Sequence, residues 1–269
     1  MTTPEMRLPA SLGYVAFASL HDAPLTIAAR MRVPAQGQRL PAVILLHGSA
    51  GPSAREGGYA TALNAAGFVT LEPDQWSARG LAGGAAGRPK TAAETLPDLY
   101  GVRAFLARHP RVDPARIGVM GFSFGGVAAM LAAMHRYNDV FLPDAAFPAI
   151  MPFYPATWIF NRVPGFELDG LVATRILLVT AELDQYDNDP QVSRKLLDTL
   201  APEDRQRIEL EVVPEAHHGF DIPGADVEVD DPFGNQGQGG RVIIRGDRRA
   251  MEAMHRRAVA FFREALMPS

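Results

Sequence analysis

Short β-branched apolar runs alternate along the chain with longer stretches of helical period, which predicts a mostly parallel sheet with helices on both faces. Residues 13–20 and 25–33 read as two strands joined by the turn His21-Asp22-Ala23-Pro24, an antiparallel ribbon at the sheet edge. Further strands are predicted at 42–46, 68–71, 116–120, 150–153, 176–180 and 208–213. Between and after them fall helical patterns at 55–66, closed by Gly67, and at 91–108, 124–134, 190–200 and 247–266. Two stretches of small residues, 80–87 and 234–240, sit where loops belong, and the second turns a predicted hairpin between 227–229 and 241–244. No period of 20 to 50 residues recurs and no linker interrupts the pattern, so a single domain over residues 1–269 is expected. Residues 155–171 carry Trp158, Phe160 and Phe166 among prolines and glycines just after a strand, and are the candidate for a lid.

Composition narrows the chemistry. The chain has no cysteine, which removes disulfides, thiolate-bound metals and any thiol nucleophile. Against 30 acidic side chains stand 26 basic ones, a net charge of −4, so no electrostatic argument favours nucleic acid or an anionic membrane as partner. Met1-Thr2-Thr3-Pro4-Glu5 lacks the basic start and apolar run of a secretory signal, and no stretch reaches the roughly 20 apolar residues of a membrane span; a cytoplasmic protein is expected. Nothing in the sequence fixes an oligomeric state.

The strongest local signal is Gly121-Phe122-Ser123-Phe124-Gly125-Gly126, placed directly after the strand pattern and directly before an Ala-rich helix. That strand-turn-helix context is what a nucleophilic serine at a sharp turn requires, with glycines where side chains would collide. At the start of a helix the free amides and the positive dipole end also favour a developing anion. Ser123 is therefore assigned as nucleophile.

A serine hydroxyl needs a base, and in this architecture the acid and the histidine follow it along the chain. His255 lies in the terminal helical pattern, which leaves His217 and His218 beyond the last strand. His218 is preferred because Gly219 lets the backbone turn and present the ring; His217 remains the alternative. Asp184, a few residues past the strand at 176–180, is the preferred acid over Glu182, Asp187 and Asp189, whose ordinary roles are capping and solvated loop charge. The oxyanion needs two donors: the amide of Phe124, and an amide of the loop His47-Gly48-Ser49-Ala50-Gly51, assigned to Ser49 with Ala50 as alternative. His47 reads as a structural hydrogen-bonding residue. Tyr154, just before the proposed lid, and Trp158, within it, are assigned to substrate binding. The constellation calls for no metal and no organic cofactor.

With these residues in place the chain resembles the α/β-hydrolase superfamily, and within it the dienelactone hydrolase-like branch. The resemblance rests on Val43-Ile44-Leu45-Leu46-His47-Gly48, on 59–68, on Asp74 to Gly80, on 112–118 leading into the serine turn, and on Phe153-Tyr154-Pro155. It continues through 181–184 and His218-Gly219-Phe220-Asp221. It implies an α/β-hydrolase fold and hydrolysis of small or medium carboxylic esters through an acyl-enzyme. Acyl transfer, peptide or lactone hydrolysis by the same triad, and ligand binding without catalysis, are the competing readings. Enzymes that open dienelactones use cysteine at the turn where this chain has Ser123, a departure that points to the carboxylesterase-type members. The resemblance also implies an arginine that binds a substrate carboxylate, and Arg79 is the position that matches.

Overall fold

A computed structural model describes residues 11–143 and 145–267, so the reading of the first five residues falls outside the described residues. The central sheet has eight strands: β1 (Ser11–Ala18), β2 (Thr26–Val33), β3 (Leu40–Leu46), β4 (Val69–Asp74), β5 (Val112–Phe122), β6 (Ala149–Phe153), β7 (Arg175–Ala181) and β8 (Ile208–Val213). They lie in the order β1-β2-β4-β3-β5-β6-β7-β8. β1 pairs antiparallel with β2 and β2 antiparallel with β4, while every pairing from β4 to β8 is parallel. The predicted edge ribbon and parallel body are both present.

The apolar run of β3 shows why this interior strand carries no polar alternation. Ile44 and Leu46 face one buried cluster and Val43 and Leu45 the other, so both faces of the strand are covered. On the first face pack α2 (Leu96–Ala107) and α3 (Phe124–Leu131), through side chains such as Leu99, Val102 and Met130. On the second, α1 (Ala54–Ala65) contributes Tyr59 and Leu63, and the C-terminal helix (Arg248–Leu266) contributes Phe261 and Phe262. That last helix starts at Asp247, whose carboxylate accepts the Ala250 amide at 2.9 Å.

Several boundaries differ from the sequence reading for local reasons. The helix expected at 91–108 is a 3-10 turn, Ala92–Thr95, followed by α2, with Pro97 in the first turn of α2 where its missing N–H is not needed. The expected helix 124–134 stops at Leu131, and a further helix, α4 (His135–Phe141), follows the turn. The helix read at 190–200 is α5 (Val192–Asp198), and a single turn, Pro202–Arg205, precedes β8. The hairpin is formed by β9 (Asp226–Asp230) and β10 (Arg241–Arg245) as a separate two-stranded ribbon. A lone bridge between Ile244 and His218 ties this ribbon to the loop after β8. Among the described residues no helix is long and apolar enough to cross a membrane.

Candidate active site

β5 ends at Phe122 and α3 begins at Phe124, so Ser123 alone makes the turn, with φ 52° and ψ −114°. A non-glycine residue pays a conformational cost there, and it persists only because its surroundings over-determine it. The Ser123 amide donates to the Phe153 carbonyl at 2.9 Å, which anchors the turn to β6. The flanking glycines are steric necessities: a Cβ on Gly121 would run into the Gly125 carbonyl, and one on Gly125 would lie 2.5 Å from the carbonyl oxygens of Leu46 and His47.

His218 lies between the other two predicted residues. Its Nε2 is 3.0 Å from Ser123 Oγ and its Nδ1 is 2.7 Å from Asp184 Oδ2. Because a carboxylate only accepts, Asp184 fixes the ring proton on Nδ1 and leaves Nε2 to accept from the Ser123 hydroxyl. Asp184 is 4% exposed, and its second oxygen accepts the Tyr186 amide at 2.8 Å. The loops carrying acid and base are stitched together, since the Leu183 amide donates to the Ala216 carbonyl at 2.8 Å. Gly219 has φ +65° immediately after His218. His217 makes no hydrogen bond to Ser123 or Asp184 among the described residues, and its Nδ1 is buried without a partner. Of the competing acids, Glu182 accepts the Glu215 amide, while Asp189 accepts the Gln191 amide and pairs with Lys195.

The loop of residues 47–51 is braced from behind. The Ser49 carbonyl accepts from Trp76 Nε1 at 2.9 Å and from the Gly84 amide at 2.7 Å. Neither the Ser49 amide nor the Phe124 amide donates to a protein acceptor among the described residues, so both are free for a ligand oxygen. His47 has a structural place: the Gln75 amide donates to its Nε2 at 3.1 Å, and Nδ1 donates to the Gly48 carbonyl at 2.8 Å. Burial lowers its pKa and keeps it neutral.

Ser123 and Phe124 open onto a cleft of about 230 Å³, lined by Val127, Trp158, Ile159, Phe166, Tyr186 and Phe233 among others. Trp158 lines this cleft, and the segment 155–171 supplies one wall. Arg79 and Tyr154 do not line it. The Arg79 guanidinium is bound to the fully buried Asp98, at 2.8 and 3.2 Å, and to the Gln75 carbonyl, and it does not line the cleft. Tyr154 is fully buried behind His218, with its hydroxyl donating to Asp221 and accepting from Arg55 at 3.1 Å. Asp221 also accepts from Tyr59, and burial raises its pKa against the pull of Arg55.

The sequence reading missed Arg88. Its side chain is nine-tenths buried in the cleft wall, over the rings of Phe124 and Phe233 at 5.6 and 4.7 Å. Its place in a run of small residues gives no sign of this. Among the described residues no group of three or more His, Asp or Glu side chains could hold a metal ion.

The fold recurs in solved structures. Thermogutta terrifontis esterase 2, phosphorylated by paraoxon, shares 18% identity with coverage of 100% of both chains and a TM-score of 0.64. Dienelactone hydrolase from Anabaena variabilis shares 19%, covering 96% of this chain and 99% of that one, at TM-score 0.60. Est1E from Butyrivibrio proteoclasticus, with ferulic acid bound, shares 15%, covering 93% and 99%, at TM-score 0.60. At such identities the likeness is one of fold. No curated protein matches the sequence. The profile of the dienelactone hydrolase family matches residues 27–266, a span that takes in the serine turn, both loops bearing its partners and nearly the whole sheet, and the chain belongs to that family.

Proposed function

We propose that the protein is a serine hydrolase that cleaves small or medium carboxylic esters, soluble in the cytoplasm and needing no cofactor. What supports the reading is one continuous relay: Ser123 hydroxyl to His218 Nε2 at 3.0 Å, and His218 Nδ1 to Asp184 at 2.7 Å, at the mouth of an apolar cleft. Ser123 attacks the ester carbonyl while His218 takes its proton, and the oxyanion rests on the amides of Phe124 and Ser49. As the C–O bond breaks, His218 returns the proton to the departing alcohol. Water then attacks the acyl-Ser123 ester, again with His218 as base, and releases the acid. Asp184 orients the imidazole and stabilises the imidazolium without taking the proton. The substrate's apolar portion occupies the cleft beneath Trp158.

The test is covalent and kinetic together. Paraoxon, which phosphorylates the Thermogutta neighbour, should add a diethylphosphoryl group to Ser123, seen by peptide mass, and abolish turnover of a 4-nitrophenyl ester. Ser123→Ala should lower kcat on the order of 10⁶-fold with the fold intact. Retained activity in that variant, or labelling elsewhere, would overturn the assignment.

A further inference from the structure

One buried acid beside the catalytic group takes no part in that mechanism. Asp187 is 6% exposed and lies three residues beyond Asp184, in the turn closed by the Asn188 amide donating to the Asp184 carbonyl at 2.8 Å. Its Oδ1 accepts the backbone N–H of Trp158 at 2.8 Å. The adjacent Thr157 hydroxyl meets Ser193 Oγ of α5 at 3.1 Å, and the Asp187 carbonyl accepts from Gln236 at 2.7 Å. One residue therefore joins the loop of the catalytic acid to the wall of the cleft and to the 234–237 turn.

The wall it grips is strained. Tyr154 and Ala156 have φ of 34° and 47°, in the left-handed region that residues with a Cβ avoid, and Ala156 and Trp158 both line the cleft beside Ser123. Such a conformation needs an external tie, and the N–H of Trp158 is where the tie is made.

We propose that Asp187 is a positioning residue for the substrate cleft: its carboxyl holds the strained Ala156–Trp158 wall against the turn that carries Asp184. The proposal rests on the reading of Ser123, His218 and Asp184 as the hydrolytic site.

The charges around Asp187 define when the tie works. Asp184, paired with His218, and Asp189, paired with Lys195, belong to its own turn, while Tyr186 is bonded to Asp231. From the wall come Thr157 and Trp158, from α5 Ser193, and from the 234–237 turn Gln236, which is bound to Arg162; none of these four is charged. No cation pairs with Asp187 among the described residues. Burial, and next the charge of Asp184, push its pKa up to about 8, so near neutral pH it is a carboxylic acid. Above that pH a second buried charge appears behind Asp184 with nothing to balance it. The carboxylate then turns toward water, and the wall is released.

The experiment follows KM from about pH 6.5 to about pH 9.5 for a 4-nitrophenyl ester with a bulky acyl group, with paraoxon labelling of Ser123 as a parallel reading. In the wild type KM should be level below about pH 7.5 and rise on the order of tenfold by about pH 9.5. Asp187→Asn, which keeps an acceptor for Trp158 but cannot ionise, should have a level KM across the range. Asp187→Ala should show the raised KM at every pH, with kcat changed far less. Thr157→Val, which loses only the hydroxyl bonded to Ser193 and keeps the Asp187 tie to Trp158, should retain the rise of KM with pH and supplies the comparison if an Asp187 variant does not fold. Coincident KM profiles for wild type and Asp187→Asn, or a wild-type KM level to about pH 9.5, overturn the proposal while Ser123 still labels. Absence of labelling at Ser123 in the wild type overturns the hydrolase reading instead.

Discussion

The Tyr154 ring stands edge-on to His218, with centroids 4.6 Å apart at 62°, and its hydroxyl points away from the cleft to Asp221. With Tyr186 at 4.4 Å, two aromatic rings hold the imidazole. Tyr154→Phe leaves the ring in place but removes one of the two phenolic donors to a buried carboxylate and the acceptor that Arg55 uses. Urea unfolding should show a loss of about 1–3 kcal/mol, with KM within about twofold of wild type. A several-fold rise of KM at unchanged stability would instead return Tyr154 to the substrate wall.

Arg79 makes the opposite contrast with its expected role. It is the cation that balances Asp98, a side chain with no exposure whose pKa burial raises even with Arg79 beside it. Removing it by Arg79→Ala should destabilise the protein by about 2 kcal/mol or more, because an uncompensated carboxyl is left in the core. KM should be unaltered for neutral and anionic esters alike. A selective rise for anionic esters would show the guanidinium reaching substrate after all.

These two residues mark where sequence reasoning stops. Ser123, His218 and Asp184 were legible because each sits at a strand end with a local signature: glycines that leave no room for Cβ, Gly219 that turns the chain, and a short loop after an apolar run. Parallel β3, β6 and β7 were legible because near-continuous apolar runs announce strands covered on both faces. Arg79 was misplaced because its partner is nineteen positions away and joins it only through the first turn of α2. Likewise the direction of the Tyr154 side chain depends on Asp221, 67 positions on, and the inward lean of Arg88 depends on Phe124 and Phe233. Long-range charge and hydrogen-bond partners leave no periodicity to read.

Asp184→Asn tests orientation separately from charge at the nucleophile. The amide cannot be relied on to accept from Nδ1–H, and a donating NH₂ in its place favours the tautomer that carries the proton on Nε2, where it blocks the Ser123 hydroxyl. Expected is a fall in kcat of about 10⁴-fold with KM little changed. A fall of less than about tenfold would mean that another acid of the same loop, Glu182 or Asp187, orients the ring.

The turn around Ser123 is the place where a single methyl group matters most. Gly125→Ala sets a Cβ 2.5 Å from two main-chain oxygens of Leu46 and His47, and main chain in β3 cannot move aside as a side-chain end can. Since the same carbonyl-bearing segment leads into the Ser49 amide, relief of the clash displaces the two proposed oxyanion donors from Ser123. The variant should lose several kcal/mol of stability, and whatever folds should show a depressed kcat. Wild-type melting and turnover would show that the turn is looser than its geometry.

Asp187 also makes stability depend on pH in a direction opposite to that of a salt-bridged carboxylate. Its ordinary value near 3.8 is pushed up to about 8 in the folded protein, so between those limits the folded state binds a proton that the unfolded chain has already given up. The resulting cost is absent below about pH 4, grows as pH rises, and levels off above about pH 8. Asp187→Asn removes the titration while keeping the acceptor for the Trp158 N–H. Its melting temperature should therefore match the wild type near pH 4 and exceed it near pH 8, by the equivalent of a few kcal/mol at most. A stability difference independent of pH would mean that the carboxyl is ionised across the whole range, with a cation or water supplying the balance that the surrounding side chains do not.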